Sequence, residues 1–274
     1  MFIFSLILIF IFGLFVGSFL NCVIWRLYQK KSFLIERSIC PHCKHQLAWF
    51  DLIPIISFIL LKGKCRYCHK PISYQYPLVE LATALLFILP FLIQQFFPLP
   101  FDEEILWLEI LYYFFLISVL IILFVYDLKH FIIPDKILIP ALLTTLFYFL
   151  IRDFYLAFLH SNFSIFTSLL YQLVSAIGVS GFFLLLYLLS KGRWIGFGDV
   201  KLGFLLGFVL SWPKSVVFMF LTYLIGGIIG IGLIIFKKKT LKAQVPFAPF
   251  LIFSFVISLF FGSEIINWYL NLLK

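Results

Sequence analysis

The sequence predicts an all-α polytopic membrane protein with about eight transmembrane helices and one small polar module near the amino terminus. Of the 274 residues, 64% are hydrophobic and only 12% are charged, whereas a soluble domain is roughly 45–50% apolar and about 25% charged. This composition excludes a soluble globular fold, and its hydrophobicity excludes a disordered chain. The apolar runs are continuous rather than alternating, which excludes the strands of a membrane β-barrel.

A helix needs about 20 mostly apolar residues to cross a bilayer, and eight runs of the sequence are candidates. The first run precedes its basic residues, so we interpret it as a retained span and not as a cleaved signal peptide. The sixth run is short, which indicates a tilted, re-entrant or poorly bounded helix. In the seventh run, Gly226 and Gly230 have a spacing that predicts helix packing. The predicted spans are 1–24, 78–98, 105–126, 134–151, 164–190, 200–212, 215–236 and 247–270.

The positions of the basic residues predict the orientation. With the amino terminus outside, 18 of the 21 Lys and Arg residues fall in or next to cytoplasmic segments, as the positive-inside rule requires. Only Arg152, Lys214 and Lys274 fall on the outer side. We therefore predict that both termini are outside. The net charge of +9 then records topology, so membrane lipid is an expected partner and nucleic acid is not.

The one sizeable polar region is 25–77, which holds two C-x-x-C pairs. The pairs are Cys40 with Cys43 and Cys65 with Cys68, and 21 residues separate them. Two such turns can present four thiolates to one tetrahedral zinc ion. A region of this length has little apolar core of its own, so a metal would hold it together. We therefore predict a zinc site with these four cysteines as ligands.

The other interpretations of the cysteines are weaker. Disulfides are disfavoured because the cytosol is reducing, and a thioredoxin-like redox motif needs a single pair in a βαβ setting. We interpret His42, His45 and His69 as solvated loop residues rather than as substitute ligands. Cys22, alone in the first span, is interpreted as a small buried hydrophobic residue.

Two aspartates lie where apolar spans meet the cytoplasmic side. Asp127 follows the apolar run 116–126, and Asp199 directly precedes the sixth span. Ionisable residues in or at the edge of spans are candidates for function. Because the predicted topology puts both at a similar depth, they can meet although 72 positions separate them.

Two carboxyl groups in one site share a single proton. The ionised member can take a proton from water while the protonated member donates one to a peptide carbonyl, which is acid–base peptide hydrolysis without a metal. Gly196 and Gly198 lack a Cβ atom and leave room for a substrate backbone beside Asp199. The pair Asp127 and Asp199 is therefore the candidate catalytic centre.

The structural alternative for an aspartate at a helix end is capping or pairing with a lysine. We assign Asp135 mainly to capping, and Asp199 can also cap the sixth span. Lys129 and Lys201 are interpreted as anchors on the cytoplasmic side. Glu80, at the start of the second span, is either an interfacial residue or a wall of the substrate site.

The order of these motifs resembles the type IV prepilin peptidases, which are bifunctional membrane enzymes of bacteria. The resemblance covers roughly residues 13–205. Tyr28 departs from the proline that many members have after the Arg-Leu pair. The matching segments are Gly17–Leu27, Cys40–Cys43, Asp51–Pro54, Gly63–Cys68, Tyr76–Leu81, Asp127–Asp135 and Gly196–Leu202.

The resemblance implies that the protein removes the short basic leader of prepilins or pseudopilins, after a glycine, at the cytoplasmic face of the inner membrane. It also implies methylation of the new amino terminus with S-adenosylmethionine. Asp127 and Asp199 fall on the catalytic aspartates of the family, the four cysteines on its cytoplasmic module, and Gly63 on a glycine linked to methylation. The expected organisation is a first transmembrane helix at 1–24, a tetracysteine zinc module at 25–77 and a transmembrane aspartic protease core at 78–274.

Two alternatives stay open. A proton-coupled transporter predicts acidic residues near the bilayer midplane, and it leaves the cysteine pairs without a purpose. A non-enzymatic membrane scaffold with a zinc-stabilised loop predicts that the two aspartates are dispensable.

Overall fold

The computed structural model describes residues 2–32, 37–93, 105–160, 165–235 and 245–273. Within these ranges the regular structure is helical, apart from a 3-10 turn at Trp49–Leu52 and two isolated β-bridges. This confirms the all-α prediction. The helices are α1 (Phe2–Tyr28), α2 (Ile56–Leu60), α3 (Gln75–Ile93), α4 (Leu106–His130), α5 (Asp135–His160), α6 (Ile165–Ser190), α7 (Phe197–Leu210), α8 (Lys214–Ile235) and α9 (Ala248–Leu272).

Seven of the described helices are long and apolar enough to cross a membrane, namely α1, α3, α4, α5, α6, α8 and α9. Their bounds follow the predicted spans, and the polytopic fold is therefore confirmed. The end of the second predicted span, 94–98, lies outside the described residues, as does residue 236 at the end of the seventh.

The predicted sixth span is the short helix α7. It has 14 residues and is therefore about 21 Å long, which is less than the roughly 30 Å of a hydrocarbon core. The hydrophobicity of α7 therefore does not reflect a membrane span. Most of its side chains are buried inside the protein, and this explains why they are apolar. Leu202, Leu205 and Leu206 have no exposed surface.

The chain forms two compact units, residues 1–122 and 123–274. In the first unit, α1 packs closely against α3 through two glycines spaced as in a small-xxx-small motif. A Cβ atom placed on Gly13 would lie 2.6 Å from the Cα of Ala84, and one on Gly17 would lie 2.6 Å from the Cα of Glu80. Only glycine permits this approach of the two backbones.

In the second unit, α7 packs against α6 in the same way. A Cβ atom on Gly203 would lie 2.5 Å from the ring of Phe183, and one on Gly207 would lie 3.0 Å from the carbonyl oxygen of Ser175. α5 and α9 also contact α7. The short helix is thus enclosed by spanning helices, which sets the position of its first turn.

Of the two glycines in the motif predicted to pack the seventh span, Gly226 has a neighbour on another described helix. Gly226 on α8 faces the ring of Phe250 on α9 at an ordinary contact distance of 3.5 Å. Around Gly230, no atom of the described residues lies within 4 Å of a Cβ placed there. The spacing alone did not reveal which face of α8 meets a neighbour.

We expect Gly17→Ala to lower the melting temperature of the purified protein. The added methyl group would meet the backbone of α3, which cannot rotate away, and overpacking of this kind costs typically about 1–3 kcal/mol. Gly178→Ala on α6 is the matched control, because a Cβ there meets nothing within 4 Å. Equal melting temperatures for the two variants would contradict the close contact of α1 and α3.

Candidate active site and cysteine cluster

Asp127 lies in the last turn of α4, and its side chain caps a distant helix. The residue is 5% exposed, and the backbone N–H of Ala248 donates to its Oδ2 at 3.1 Å. Ala248 is the first residue of α9, where backbone N–H groups lack partners within the helix. The carboxyl group therefore satisfies one of these donors, and the positive end of the helix dipole favours its negative charge.

Asp199 lies in the first turn of α7 and is 8% exposed. The backbone N–H of Gly196 donates to its Oδ2 at 3.0 Å, which is the bond that an acidic residue at this position makes in a capping box. The capping role considered from the sequence is therefore present. The capping hydrogen bond uses the Oδ2 atom and holds the Asp199 carboxyl group at the start of α7.

Both aspartates belong to the second unit, and Ile133, in the connection that follows Asp127, packs on Gly198, the residue before Asp199. Each is buried, and each accepts a hydrogen bond from a backbone N–H at the start of a helix. The second unit thus contains both carboxyl groups that the sequence analysis singled out, each at the start of a helix. A pair of this kind can hold and transfer a proton.

The glycines before Asp199 have a structural reason within the chain itself. A Cβ atom on Gly198 would lie 2.9 Å from the Cβ of Ile133, and one on Gly196 would lie 3.3 Å from Oδ2 of Asp199. Ile133 belongs to the connection between α4 and α5. Gly198 therefore lets this connection, which follows Asp127, pack directly on the start of α7.

Asp135 and Lys201 form an ion pair. Asp135 follows Asp127 by eight positions in the sequence, and Lys201 follows Asp199 by two. The Nζ atom of Lys201 donates to both carboxyl oxygens of Asp135, at 2.8 and 2.9 Å. It also lies 5.2 Å from the ring centre of Phe197. Asp135 begins α5 and Lys201 lies on α7, so the pair joins two helices. The capping role of Asp135 and the anchoring role of Lys201 stay predictions from the sequence.

The first unit also contains buried carboxyl groups, and one of them is Glu80. It accepts a hydrogen bond from the backbone N–H of Ile55 at 2.8 Å. Nearby, the Gln75 amide donates to Asn21 at 3.0 Å. The sequence left the role of Glu80 open. The structure shows that it holds the polar module against α3, a contact that no local pattern indicates.

The four cysteines form one cluster. Their Sγ atoms all lie within 4.8 Å of one another, and those of Cys40 and Cys68 are 4.0 Å apart. A tetrahedral zinc with Zn–S bonds of about 2.3 Å would place its sulfurs about 3.8 Å apart. The donor set and its spacing therefore fit zinc.

The two cysteine turns have the same backbone design. The N–H of Cys40 donates to the carbonyl of His45, and that of Cys65 to the carbonyl of Lys70, both at 2.9 Å. Four residues after the first cysteine of each turn, Lys44 and His69 have positive φ angles of 60° and 55°. The repeated turn directs the two thiol groups of each pair to the same side of the turn, where the four sulfurs meet.

Hydrogen bonds within the cluster favour the thiolate form of Cys40. Burial raises the pKa of the Cys40 thiol, but hydrogen bonds from the backbone N–H groups of Cys43 and His42 and from neighbouring thiols outweigh it and lower the pKa to about 7. The thiolate is the form that binds metal. In the described part of the chain, the candidate metal group contains no histidine, and His45 instead contacts the ring of Tyr67.

Gly63 closes the turn before the second cysteine pair. Its φ angle is +67°, which is a conformation that side chains disfavour. Its carbonyl accepts a hydrogen bond from the N–H of Ile72 at 2.7 Å, and a Cβ placed on it would lie 3.2 Å from the ring of Phe58. A glycine is thus required here for the backbone alone.

The fold and these sites define a class, a multi-pass helical membrane protein with a buried carboxylate pair and a four-cysteine module. Residues 11–94 match the model of the bacterial peptidase A24 N-terminal domain, and residues 114–231 match that of the type IV leader peptidase family. The chain belongs to this family, so it is a peptidase of the inner membrane. No solved structure matches the chain.

Curated relatives extend over nearly the whole chain. The chain is 31% identical to the prepilin leader peptidase/N-methyltransferase of Aeromonas hydrophila, over 96% of this chain and 93% of that protein. It is also 31% identical to the protein of that name from Bacillus subtilis strain 168, over 97% of this chain and 98% of the relative. The match therefore includes both compact units.

We expect Gly198→Ala to reduce peptidase activity by about tenfold or more, because misplacing a catalytic group by about 1 Å can cost 10²-fold. The methyl group would push Ile133 and with it the connection that follows Asp127. Gly181→Ala on α6, where a Cβ meets nothing within 4 Å, should leave activity unchanged. A fully active Gly198→Ala enzyme would show that this contact does not hold the site together.

Proposed function

We propose that the protein removes the basic leader of type IV prepilins or pseudopilins, with Asp127 and Asp199 as the catalytic pair. The observation that carries this proposal is that two buried carboxyl groups from different helices of one unit each accept a backbone N–H at the start of a helix, and that the connection after Asp127 packs on the first turn of α7. The names of the relatives support prepilins as the substrates. The cleaved bond is expected to follow a glycine and to lie at the cytoplasmic face.

In the proposed reaction, the ionised carboxyl group takes a proton from a water molecule, and the water oxygen attacks the carbonyl carbon of the scissile peptide. The protonated carboxyl group donates its proton to the carbonyl oxygen. Collapse of the tetrahedral intermediate breaks the C–N bond, and the departing amine takes a proton from the carboxyl group that the water had protonated. One hydroxyl group of the intermediate returns its proton to the other carboxylate as the product carboxyl group forms. Proton donor and acceptor are both restored, so no metal or covalent intermediate is needed.

The hydrogen bonds described above support this assignment. In both residues the backbone N–H is bound to Oδ2, which leaves Oδ1 for the water or the substrate. Each N–H also holds its carboxyl group in one orientation. A fixed orientation is required because a proton donor and acceptor act only within hydrogen-bonding distance of the reacting atoms.

We further propose that Cys40, Cys43, Cys65 and Cys68 hold one structural zinc ion. Bound zinc would cross-link the two cysteine turns, which otherwise meet through few buried side chains. Cys40 and Cys65 are buried, so they would form the inner side of the site. The metal is expected to stabilise the module and to take no part in hydrolysis.

The second activity in the proposal is methylation of the new amino terminus with S-adenosylmethionine as the methyl donor. It rests on the resemblance and on the N-methyltransferase named in the relatives. Gly63 is the residue that the resemblance links to this step. Mass spectrometry of the mature pilin terminus measures methylation separately from leader removal.

We predict that Asp127→Asn and Asp199→Asn each reduce leader removal from a co-expressed prepilin by about 100-fold or more, the contribution typical of a general acid or base. Asparagine retains an oxygen that can accept the backbone N–H, so the fold should survive. The matched control is Asp135→Asn, since its ion pair is exposed and such pairs contribute only about 0–1 kcal/mol.

Processing is measured as the ratio of mature to unprocessed pilin, with enzyme yield and melting temperature recorded for each variant. Full processing by either Asp127→Asn or Asp199→Asn would refute the catalytic pair. It would favour a transporter or a scaffold instead.

We also predict that the purified protein contains about one zinc ion per chain, as a single tetracysteine site requires. Cys65→Ser should lose this zinc and lower the melting temperature, whereas Cys22→Ser, which removes a thiol outside the cluster, should retain it. Elemental analysis of the three proteins makes the comparison. Zinc-free wild-type protein with an intact module would show that the cluster is not a metal site.

A further inference from the structure

The polar module carries an exposed apolar surface, which we call the apolar elbow and define as residues 49–60. It begins at the 3-10 turn, where Trp49 is 77% exposed, and ends in α2, where Ile59 is 65% and Leu60 is 75% exposed. Single exposed apolar residues are ordinary, but a contiguous group of them indicates a contact surface.

The short helix α2 has its apolar residues on the outside. Ile56, Ile59 and Leu60 are spaced i, i+3 and i+4, so they share one face, and all three are exposed. On the other side, the ring of Phe58 lies 5.5 Å from that of Tyr74. A helix on a water-facing module would present polar residues outward. The exposed apolar face of α2 therefore indicates contact with an apolar environment.

A hydrogen bond places the elbow beside a membrane-spanning helix. The N–H of Ile55 donates to Glu80 at 2.8 Å, and Glu80 lies in the second turn of α3. At a rise of about 1.5 Å per residue, Glu80 is about 7.5 Å along the helix from Gln75. Ile55 directly precedes α2, so the elbow lies beside the first two turns of α3, at one end of this candidate span.

The charges around the elbow are complementary to an anionic surface. Among residues 37–74, all of which the structure describes, Asp51 is the one acidic residue. Its carboxyl group is bound by Arg66 at 2.8 Å and by the Tyr67 hydroxyl at 3.2 Å. The basic residues of this stretch are Arg37, Lys44, Lys62, Lys64, Arg66 and Lys70.

We propose that the apolar elbow lies in the membrane interface and binds anionic phospholipid. Ile56, Ile59 and Leu60 would enter the boundary of the acyl chains, Trp49 would lie among the headgroups, and Lys62 and Lys64 would approach lipid phosphates. Tryptophan and lysine are the residues typical of this zone. The proposal is independent of the peptidase reaction and adds a third membrane contact to the two helices that flank the module.

The depth and the charge both favour lipid over the other occupants. A second copy of the chain would bring its own basic module against this one. The substrate leader is itself basic, so the lysines next to the elbow would repel it. Anionic lipid alone satisfies both the apolar face and its basic border.

The test is site-specific photocrosslinking in the full-length protein, in vesicles of phosphatidylethanolamine and phosphatidylglycerol without prepilin. A benzophenone amino acid replaces Ile59, or Leu60 as a second position. The control position is His42, which is exposed in the first cysteine turn. Peptidase activity and zinc content establish that each protein is folded, and intact-mass spectrometry identifies the adducts.

We expect phospholipid adducts at residues 59 and 60, in severalfold higher yield than at residue 42, and a lower yield when phosphatidylcholine replaces phosphatidylglycerol. Lipid yields at 59 and 60 that equal the control would overturn the proposal. A predominant crosslink to a second copy of the chain would also overturn the proposal. So would a prepilin adduct that replaces the lipid adduct when prepilin is added.

Discussion

The hydrogen bond from the N–H of Ala248 to Asp127 is the interaction on which the rest of the site depends. A buried carboxylate without a partner costs several kcal/mol, so Asp127 can lie buried near the carboxyl-terminal end of α4 only because α9 begins beside it. The bond joins residues 121 positions apart. The end of one spanning helix and the start of another are thereby fixed together, and both helices must be in place before the carboxyl pair exists.

Asp199 is held by a different constraint, the close packing of α7. Gly203 and Gly207 let α7 approach α6, and Gly198 lets the connection after α4 approach the start of α7. In the first turn of this helix Asp199 and Val200 are buried, whereas Phe197 is exposed. The packing of α7 thus fixes the position of Asp199 within the second unit. The hydrogen bond from the backbone N–H of Gly196 then sets the orientation of the Asp199 carboxyl group.

The candidate site residues could be identified from the sequence because charge is rare in this chain. In a chain with 12% charged residues, an aspartate next to an apolar run is conspicuous, and four cysteines in two spaced pairs are equally so. What could not be predicted were the partners. The acceptor role of Glu80 toward Ile55, the pair of Lys201 with Asp135 and the capping of α9 by Asp127 each join segments with no local pattern in common.

The sequence by itself determined the all-α membrane fold, the approximate bounds of the spans, the two aspartates and the cysteine pairs, because hydrophobic run length and the rarity of polar residues are local properties. The tertiary structure alone decided which glycines pack helices: Gly13, Gly17, Gly203 and Gly207 do, whereas Gly230, with the same spacing from Gly226, meets no described neighbour. It also decided that α7 is an enclosed short helix. The physical reason is that spacing along a helix defines a face, but only the arrangement of the other helices determines what that face meets.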